Sequence, residues 1–213
     1  KIPDELQAIF PNLVTSSSSY NQAAAAAWES GDSTEVRLGY RNSDGVWQKT
    51  ESFARDNKIV ESSISMNAKG EALAIWTHWS GPGIETAYHG VDKEKWDTPI
   101  LISETTGQSA VTKRSRVVIN DNSEAAAIWL NKADTDAETK LVFKSRSAEG
   151  VWSKTLVLQK TSQLIEFPAL ALNNNGDALV IWQEMSSEGT FTIKGRYRIG
   201  ANKYWSDVET YSS

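Results

Sequence analysis

The sequence predicts an all-β fold, a β-propeller built from four four-stranded antiparallel blades. Two series of tryptophans carry this prediction, because each series recurs at intervals of roughly fifty residues, a spacing typical of repeat folds and of propeller blades in particular. The first series is Trp28, Trp76, Trp129 and Trp182, and the second is Trp47, Trp96, Trp152 and Trp205. A third observation is a short template that ends on three tryptophans of the first series.

The template reads Asn, two residues, Gly or Ser, an acidic residue, Ala, two residues, Ile, Trp, and it covers residues 67–76, 120–129 and 173–182. Asn and Gly tolerate a positive φ, so the template predicts a tight turn that enters a buried strand. Before each turn, apolar residues alternate with other residues, as Ile64 and Met66 do. This alternation predicts a preceding strand with one face in a core.

The second tryptophan of each repeat closes another hairpin, as in residues 40–47 and 145–152, and a further apolar stretch follows it. Each repeat is therefore interpreted as four antiparallel strands, here A to D, with one tryptophan on B and the other at the start of D. We expect a single domain over residues 1–213, with blades at approximately 12–58, 59–110, 111–163 and 164–213. The first repeat departs from the pattern, since Ser16 and Ser18 stand at the apolar positions of its strand A.

Residues 1–11 are expected to form an N-terminal extension, and residues 3–10 fit a short capped helix before Pro11. The alternative is an edge strand that completes the last blade. We expect the four blades to close a ring by themselves. The alternative is a partial ring completed by a second chain or by further sequence, and an incomplete ring would oligomerise through the apolar flanks of its end blades.

Composition excludes several function classes. The 213 residues are 39% hydrophobic and 23% charged, and no apolar run approaches the ~18 residues that span a bilayer, so membrane insertion is not expected. The net charge is −5 and the Lys and Arg residues are scattered, which argues against a nucleic acid partner. Cysteine is absent, which excludes disulfides, thiolate nucleophiles and cysteine-ligated metals.

These repeats resemble bacterial propeller repeats of the sialidase-like, BNR or Asp-box type. The Asp-box is a turn between strands C and D with the pattern Ser-x-Asp-x-Gly-x-Thr-Trp, and residues 43–47 and 149–152 occupy the corresponding places as degenerate copies. Only the aromatic residue is kept at Trp96 and Trp205. The resemblance implies that these turns are structural and that a ligand site lies on the opposite face, where the B–C loops and the D–A connections meet.

The B–C loops at residues 29–33, 77–83, 130–138 and 183–190 differ strongly in length and sequence, whereas the strands around them repeat. Variable loops on a repeated frame are typical places for ligand binding. The candidate ligand-binding residues are Trp79, His78, Glu29, Asn131 and Glu184. Trp79 is the one tryptophan outside the two series, and an indole can stack on a sugar while its N–H donates a hydrogen bond. Shielding of a blade edge is the alternative role of this ring.

A sialidase-type hydrolase would need an arginine cluster, a Tyr activated by a Glu and an acid/base carboxylate. Arg41, Arg146 and Arg198 end strand C beside the Asp-box-like turns, on the wrong face for catalysis, and Arg114 and Arg116 lie in a single blade. No catalytic residue is therefore assigned.

Asp134, Asp136 and Glu138 could offer oxygen ligands to Ca²⁺, but their spacing is not that of an EF-hand. His78 and His89 are too few for a histidine metal site. No metal site and no cofactor are expected.

We therefore expect a non-catalytic binding module that recognises a glycan, or else a protein segment, through the B–C loops. The alternatives are a sialidase-type glycoside hydrolase, whole or in part, and a protein–protein interaction scaffold. The resemblance implies a secreted or cell-surface protein. The chain begins with Lys1 rather than Met, which fits a processed or cloned fragment from which a signal segment is missing.

Overall fold

Four antiparallel sheets of four strands each make up the computed structural model, which describes residues 9–15, 23–30, 34–54, 59–78, 83–103, 110–133, 137–200 and 204–212. Each sheet holds four consecutive strands in chain order, so that neighbouring strands are joined as hairpins and each sheet is one blade. The residues described contain no helix that is long and apolar enough to cross a membrane. The predicted all-β fold of four four-stranded antiparallel blades is confirmed.

The chain divides into two compact units, Lys1–Thr105 with blades 1 and 2 and Thr106–Ser213 with blades 3 and 4. The strands of the first unit are β1 (Ile9–Thr15), β2 (Ala24–Glu29), β3 (Glu35–Arg41) and β4 (Glu51–Ala54) in blade 1, and β5 (Ile59–Met66), β6 (Ala72–His78), β7 (Ile84–His89) and β8 (Ile100–Leu101) in blade 2. The strands of the second unit are β9 (Ala110–Ile119), β10 (Ala125–Ala133), β11 (Thr139–Arg146) and β12 (Leu156–Thr161) in blade 3, and β13 (Ile165–Leu172), β14 (Ala178–Met185), β15 (Phe191–Arg198) and β16 (Glu209–Ser212) in blade 4.

In the first unit, the tryptophan-bearing face of blade 2 packs against the opposite face of blade 1. Trp76 is fully buried in a core that also contains Ala25, Ala27 and Leu38 of blade 1. Small residues at these β2 positions let the two sheets approach closely, and the Trp76 ring stacks on Phe53 at a centroid distance of 5.9 Å. Ala25 and Ala27 thus belong to the surface of blade 1 that receives blade 2.

The second unit repeats this packing. Trp182 and Val180 of blade 4 share a core with Ile128, Leu141 and Phe143 of blade 3. Because side chains alternate along a strand, Ile128 lies on the face of β10 opposite Trp129, just as Ala27 lies opposite Trp28. Within each unit, the first-series tryptophan of the second blade therefore packs on the tryptophan-free face of the first blade.

The asparagine of the template organises the turn between the first and second strands. In blade 4, Asn173 Oδ1 accepts hydrogen bonds from the backbone N–H groups of Asn175 and Asp177, each at 2.9 Å, and its Nδ2 donates to Asp177 Oδ2 at 2.8 Å. The same contacts occur at Asn67 and Asn120. The fourth template position has a positive φ in each of these three turns, 91° at Gly70, 64° at Ser123 and 77° at Gly176.

The turn between the third and fourth strands is also built as predicted. Gly45 and Gly150 have φ of 83° and 92°, a region that favours glycine, and Trp47 and Trp152 pair with Arg41 and Arg146 across the hairpin. The two turns of each blade lie at the same end of the sheet, here called the turn end. The connections between the second and third strands lie at the other end, here called the loop end.

The N-terminal segment differs from its prediction. Residues 9–15 form the first strand of blade 1 and pair with β2, so the predicted helix over residues 3–10 is wrong at Ile9 and Phe10. Residues 1–8 and 16–22, including Ser16 and Ser18, lie outside the described ranges. The register of β1 shifts between Ile9 and Asn12, opposite Trp28, and that of β13 shifts between Glu166 and Ala169, opposite Trp182. Pro11 and Pro168 occupy these irregular places, where a missing N–H costs no ladder bond. Closure of a ring by four blades stays a prediction.

Candidate functional site

The loop end of each blade carries a polar position two residues after the first-series tryptophan, on the same face of the strand. These positions hold Ser30, His78, Asn131 and Glu184. The residue that pairs with the tryptophan on the third strand differs in the same way, being Arg37, Glu85, Val142 and Lys194. The loop end is therefore where the four copies of a common frame diverge chemically.

In blade 2 a buried carboxylate links the indole to the histidine. Glu85 Oε2 accepts a hydrogen bond from Trp76 Nε1 at 3.0 Å and lies 2.9 Å from His78 Nε2. His78 is 1% exposed, and its Nδ1 has no hydrogen-bond partner in the part of the chain that the structure describes. The three side chains form one buried polar unit on the two strands that the loop beginning at residue 79 connects.

Blade 4 makes a related arrangement with the carboxylate on the second strand. Glu184 Oε2 accepts hydrogen bonds from Trp182 Nε1 at 3.1 Å and from Gln159 Nε2 at 2.8 Å, and Glu184 Oε1 accepts one from Lys194 Nζ at 2.7 Å. Burial acts to raise the pKa of Glu184, but the hydrogen bonds from Lys194, Gln159 and Trp182 outweigh burial and lower that pKa below its ordinary value. Glu184 is thus held as a carboxylate.

Blade 1 places a second buried carboxylate at the loop end, on the face of β2 opposite Trp28. Glu29 is 1% exposed, and neither of its oxygens accepts a hydrogen bond from a residue that the structure describes. Burial raises the pKa of the Glu29 carboxyl above its ordinary value, the nearby Ser62 side chain acts against this rise, and the charge of Glu61 adds to it. Glu29 therefore favours the protonated form more than an ordinary glutamate does.

Two arginines of the loop end form ion pairs with glutamates, and Arg37 Nη1 has no hydrogen-bond partner among the described residues. Arg37 donates from Nη2 to Glu35 Oε2 at 3.1 Å. Arg114 donates from Nη2 to Glu166 Oε2 at 2.6 Å, and its guanidinium lies 5.1 Å from the centroid of the Phe167 ring. Arg114 and Phe167 both have positive φ, at the irregular places of their strands opposite Trp129 and Trp182. The ion pair between Arg114 and Glu166 thus joins the first strands of blades 3 and 4 at these irregular places.

The structure describes four of the five candidate ligand residues. Glu29 and His78 lie in the first unit and Asn131 and Glu184 in the second, and Asn131 is the most exposed of the four. Trp79 lies outside the described residues. The assignment of these residues to a ligand site stays a prediction.

Sequence reasoning missed Glu85, Lys194 and Gln159, which hold the candidate side chains in place. Glu85 and Lys194 could have been found from the cross-strand register, since each pairs with a tryptophan of the first series. Gln159 gave no such signal, because it belongs to the preceding blade.

The acidic loop of blade 3 was the candidate for ion binding. Asp134 and Asp136 lie outside the described residues, and Glu138 forms an ion pair with Lys160. Among the residues described, no group of three His, Asp or Glu side chains could hold a metal ion.

Comparison with known proteins supports the fold. No family model and no curated protein matches the chain. An α-L-arabinanase of Penicillium chrysogenum, solved in complex with arabinobiose, is similar with a TM-score of 0.58 at 12% identity, over 99% of this chain and 68% of that one. A protein of unknown function from Dyadobacter fermentans gives a TM-score of 0.62 at 10% identity, over 98% of this chain and 70% of that one.

A Hadza microbial sialidase is also similar, with a TM-score of 0.58 at 12% identity over 94% of this chain and 46% of that one. These propeller glycosidases confirm the propeller fold, and at such low identity they show the fold alone. The degenerate Asp-boxes and a bacterial source stay predictions.

Proposed function

We propose that the chain is a non-catalytic binding module that recognises a neutral glycan at the loop end of its blades, with Trp79 as the stacking platform. The observation that carries this proposal is the pairing of charged side chains at that end. Glu85 is bonded to His78 and Trp76, Glu166 to Arg114, and Glu184 to Lys194. A hydrolase aims its carboxylates at the substrate, whereas these carboxylates are bonded to side chains of the surrounding strands.

The same pairing favours a neutral ligand over an acidic one. A sialoside carboxylate would need arginines that converge on it, but Arg37 is bonded to Glu35 and Arg114 to Glu166. The arabinanase among the structural neighbours was solved with arabinobiose, which is a neutral disaccharide. Arabinobiose and longer arabino-oligosaccharides are therefore the first ligands to test.

Within each unit the candidate residues have different roles in this proposal. In the first unit, Trp79 contacts the sugar, His78 is buried at the end of β6 where the ligand loop begins, and Glu29 is buried at the loop end of blade 1. In the second unit, Glu184 anchors β14 and β15, and the partly exposed Asn131 offers an amide to a sugar hydroxyl. A secreted or cell-surface location belongs to the proposal, because polymeric glycans are met outside the cell.

Isothermal titration of the full chain with arabinobiose, arabino-oligosaccharides and sialyllactose tests the proposal. We expect arabino-oligosaccharides to bind, and Trp79→Ala to weaken that binding by at least about tenfold, because stacking on a sugar is lost. Tyr204→Ala is the matched control, since Tyr204 is an aromatic residue 82% exposed near the turn end. Equal binding by both variants would show that Trp79 does not contact the sugar. Failure of every glycan to bind would refute the proposal of a glycan-binding module.

A glycoside hydrolase is the second candidate, and Glu29 is the observation that favours it. The Glu29 carboxyl is buried and its pKa is raised, first by burial and further by the negative charge of Glu61. These are the properties of a general acid. Chromogenic arabinofuranosides and sialosides incubated with the full chain decide between the candidates. Turnover that Glu29→Gln abolishes, while the melting temperature is kept, would replace the binding-module proposal with the hydrolase.

A further inference from the structure

A cavity of about 390 Å³ lies in the second unit at the turn end of blades 3 and 4, away from the loop end. Its lining includes Ser145, Arg146 and Trp152 from blade 3 and Arg198 from blade 4, together with Glu124 of the template turn. A volume of this size is within the range of small-ligand sites. The cavity plays no part in the function proposed above.

The corresponding place in the first unit is filled by side chains. Tyr40 stacks on His89 with ring centroids 3.7 Å apart, and Tyr40 Oη donates a hydrogen bond to the Gly70 carbonyl oxygen at 2.9 Å. His89 Nε2 lies 3.0 Å from Gln48 Oε1. These side chains close the space between blades 1 and 2.

The strand register shows that the two places are equivalent. Tyr40 pairs with Ala25, three residues before Trp28, and Ser145 pairs with Ala126, three residues before Trp129. His89 and Arg198 likewise pair with the first residues of β6 and β14, Ala72 and Ala178. Gln48 and Ser153 each follow the second tryptophan of their blade. The second unit thus has two serines and an arginine where the first has a tyrosine, a glutamine and a histidine. The two serines are smaller than the tyrosine and glutamine they replace, and the space that remains is the cavity.

Arg198 is held so that part of its guanidinium remains available. Its Nη2 donates to the Gly176 carbonyl oxygen at 3.0 Å, and the guanidinium lies over the rings of Phe143 and Trp205 at 5.3 and 5.8 Å from their centroids. Its Nε is buried and has no hydrogen-bond partner in the part of the chain described. A buried donor without an acceptor is costly, which favours a ligand that supplies an acceptor.

The two arginines in the cavity lining are the groups that suit an anion. Arg146 and Arg198 contribute two positive charges to its lining and Glu124 contributes one negative charge, and Glu124 Oε2 accepts a hydrogen bond from Asn120 Nδ2 at 3.0 Å. Glu124 and, to a smaller extent, Asp177 act electrostatically on Arg198. Asp177 also accepts hydrogen bonds from Asn173 and Gly200. Guanidinium groups match carboxylates in shape and charge.

We propose that this cavity binds a small ligand that carries both a carboxylate and hydroxyl groups, a sugar acid by class. The carboxylate pairs with Arg198 and Arg146, the ligand hydroxyls meet the hydroxyls of Ser145 and Ser147, and the Trp152 indole provides an apolar wall. This site is independent of the loop-end function, because it lies at the opposite end of the blades.

Titration of the ¹⁵N-labelled full chain with glucuronate at pH 7, followed by NMR, tests the site. We expect a saturable shift of the Trp152 indole N–H resonance with glucuronate and none with glucose at the same concentrations, since glucose has the hydroxyls without the carboxylate. Methyl glucuronide distinguishes a free sugar acid from one at the end of a glycan chain. Equal effects of glucose and glucuronate, or shifts that do not saturate, would overturn the proposal.

Two variants connect the binding to this cavity. Ser145→Tyr fills the space as Tyr40 does in the first unit, and we expect it to weaken glucuronate binding at least about tenfold while the melting temperature is kept. Arg198→Gln should weaken binding to a similar extent. Arg41→Gln is the matched control, because Arg41 holds the same repeat position in blade 1 as Arg146 does in blade 3. Unchanged glucuronate binding in folded Ser145→Tyr protein would refute the site, even if Arg198→Gln failed to fold.

Discussion

Tyr40 of blade 1 stacks on His89 of blade 2 with ring centroids 3.7 Å apart and ring planes 16° apart. The edge of the His89 ring also faces Trp96, at a centroid distance of 5.3 Å. The imidazole is therefore enclosed by aromatic rings between two blades, and His89 is fully buried. Because the imidazole is enclosed in this way, the stability of the first unit depends on the protonation of His89.

Acidification is expected to weaken the first unit through His89. Burial lowers the pKa of His89 to about 4, against the smaller opposing effects of the Gly90 backbone and Asp97. The unfolded chain has an ordinary histidine pKa of about 6.5, so it binds more protons than the folded chain between these values, and stability is lost as the pH falls from about 6.5 towards 4. The loss at pH 4.5 amounts to about 2.5 kcal/mol.

Urea unfolding followed by tryptophan fluorescence at pH 7 and pH 4.5 measures this effect. His89→Phe keeps an aromatic ring against Tyr40 but cannot titrate. Between pH 7 and pH 4.5, we expect the free energy of unfolding to fall less for this variant than for the parent protein. The difference should equal the loss attributed to His89. Parallel pH profiles for the two proteins would contradict the assignment.

Glu29 is expected to have the opposite dependence on pH. Burial raises its pKa in the folded chain above the ordinary value, so the folded state keeps its proton longer, and stability falls as the pH rises through the folded pKa. Replacement by glutamine removes this loss, at roughly 1.4 kcal/mol for each unit of pKa shift.

The difference in unfolding free energy between Glu29→Gln and the parent should therefore move in favour of the variant between pH 4 and pH 8. Glu209→Gln is the control, because Glu209 is exposed. A difference that stays constant across this range would show that the pKa of Glu29 is the same in the folded and unfolded chain.

The carboxylate of Glu184 is expected to stabilise blade 4 at neutral pH. Burial acts to raise the pKa of Glu184, but hydrogen bonds from Lys194, Gln159 and Trp182 lower it below the ordinary value. The contribution of Glu184 to the free energy of unfolding is therefore present above the ordinary glutamate pKa and is lost as the pH falls through the folded pKa. Glu184→Gln leaves the half-buried Lys194 ammonium without its anion, and we expect a cost of about 2 kcal/mol at pH 7.

Blade 2 suggests a compensating change. It places a histidine at the position of Glu184 and a glutamate at the position of Lys194, with the same indole contact. The double variant Glu184→His with Lys194→Glu should recover part of the stability lost in Glu184→Gln. Chemical unfolding at pH 7 measures both variants, and a double variant weaker than the single one would show that the two blades are not interchangeable here.

The sequence predicted the repeats well because tryptophan spacing and turn chemistry are local signals. The turns at Asn120 and Asn173 follow directly from the template, since the asparagine side chain and the residue with positive φ lie within a few positions of each other. The sequence pattern places Ile9 and Phe10 in a helix because Pro11 resembles a helix boundary, whereas the structure places them at the start of β1. Comparison of Phe10-Pro11 with Phe167-Pro168 would have indicated a strand, since both pairs stand opposite the tryptophan of the next strand.

The candidate sites were less predictable, because they depend on partners that are distant in sequence. The bond between Gln159 and Glu184 joins two blades, and nothing local to either residue indicates it. The cavity beside Arg198 arises from Ser145, whose small size matters only once Tyr40 is seen to fill the equivalent space. Comparison between blades supplies this information, whereas a repeat pattern alone does not.

The indoles of Trp129 and Trp182 offer a matched test of the buried hydrogen bond. Both side chains are 1% exposed on equivalent strands, but Trp182 Nε1 donates to Glu184 at 3.1 Å, whereas Trp129 Nε1 has no partner among the described residues. Replacement of either tryptophan by alanine should cost about 3 to 5 kcal/mol, because a large buried ring is lost.

Replacement by phenylalanine separates the hydrogen bond from the ring. Trp129→Phe removes an unpaired donor together with part of the ring, while Trp182→Phe also deprives a buried carboxylate of a donor. We therefore expect Trp182→Phe to cost about 1 to 2 kcal/mol more than Trp129→Phe. Chemical unfolding followed by far-ultraviolet circular dichroism avoids the loss of indole fluorescence in the variants. Equal costs would mean that Glu184 replaces the lost donor with water, so that the indole contributes to blade 4 through packing alone.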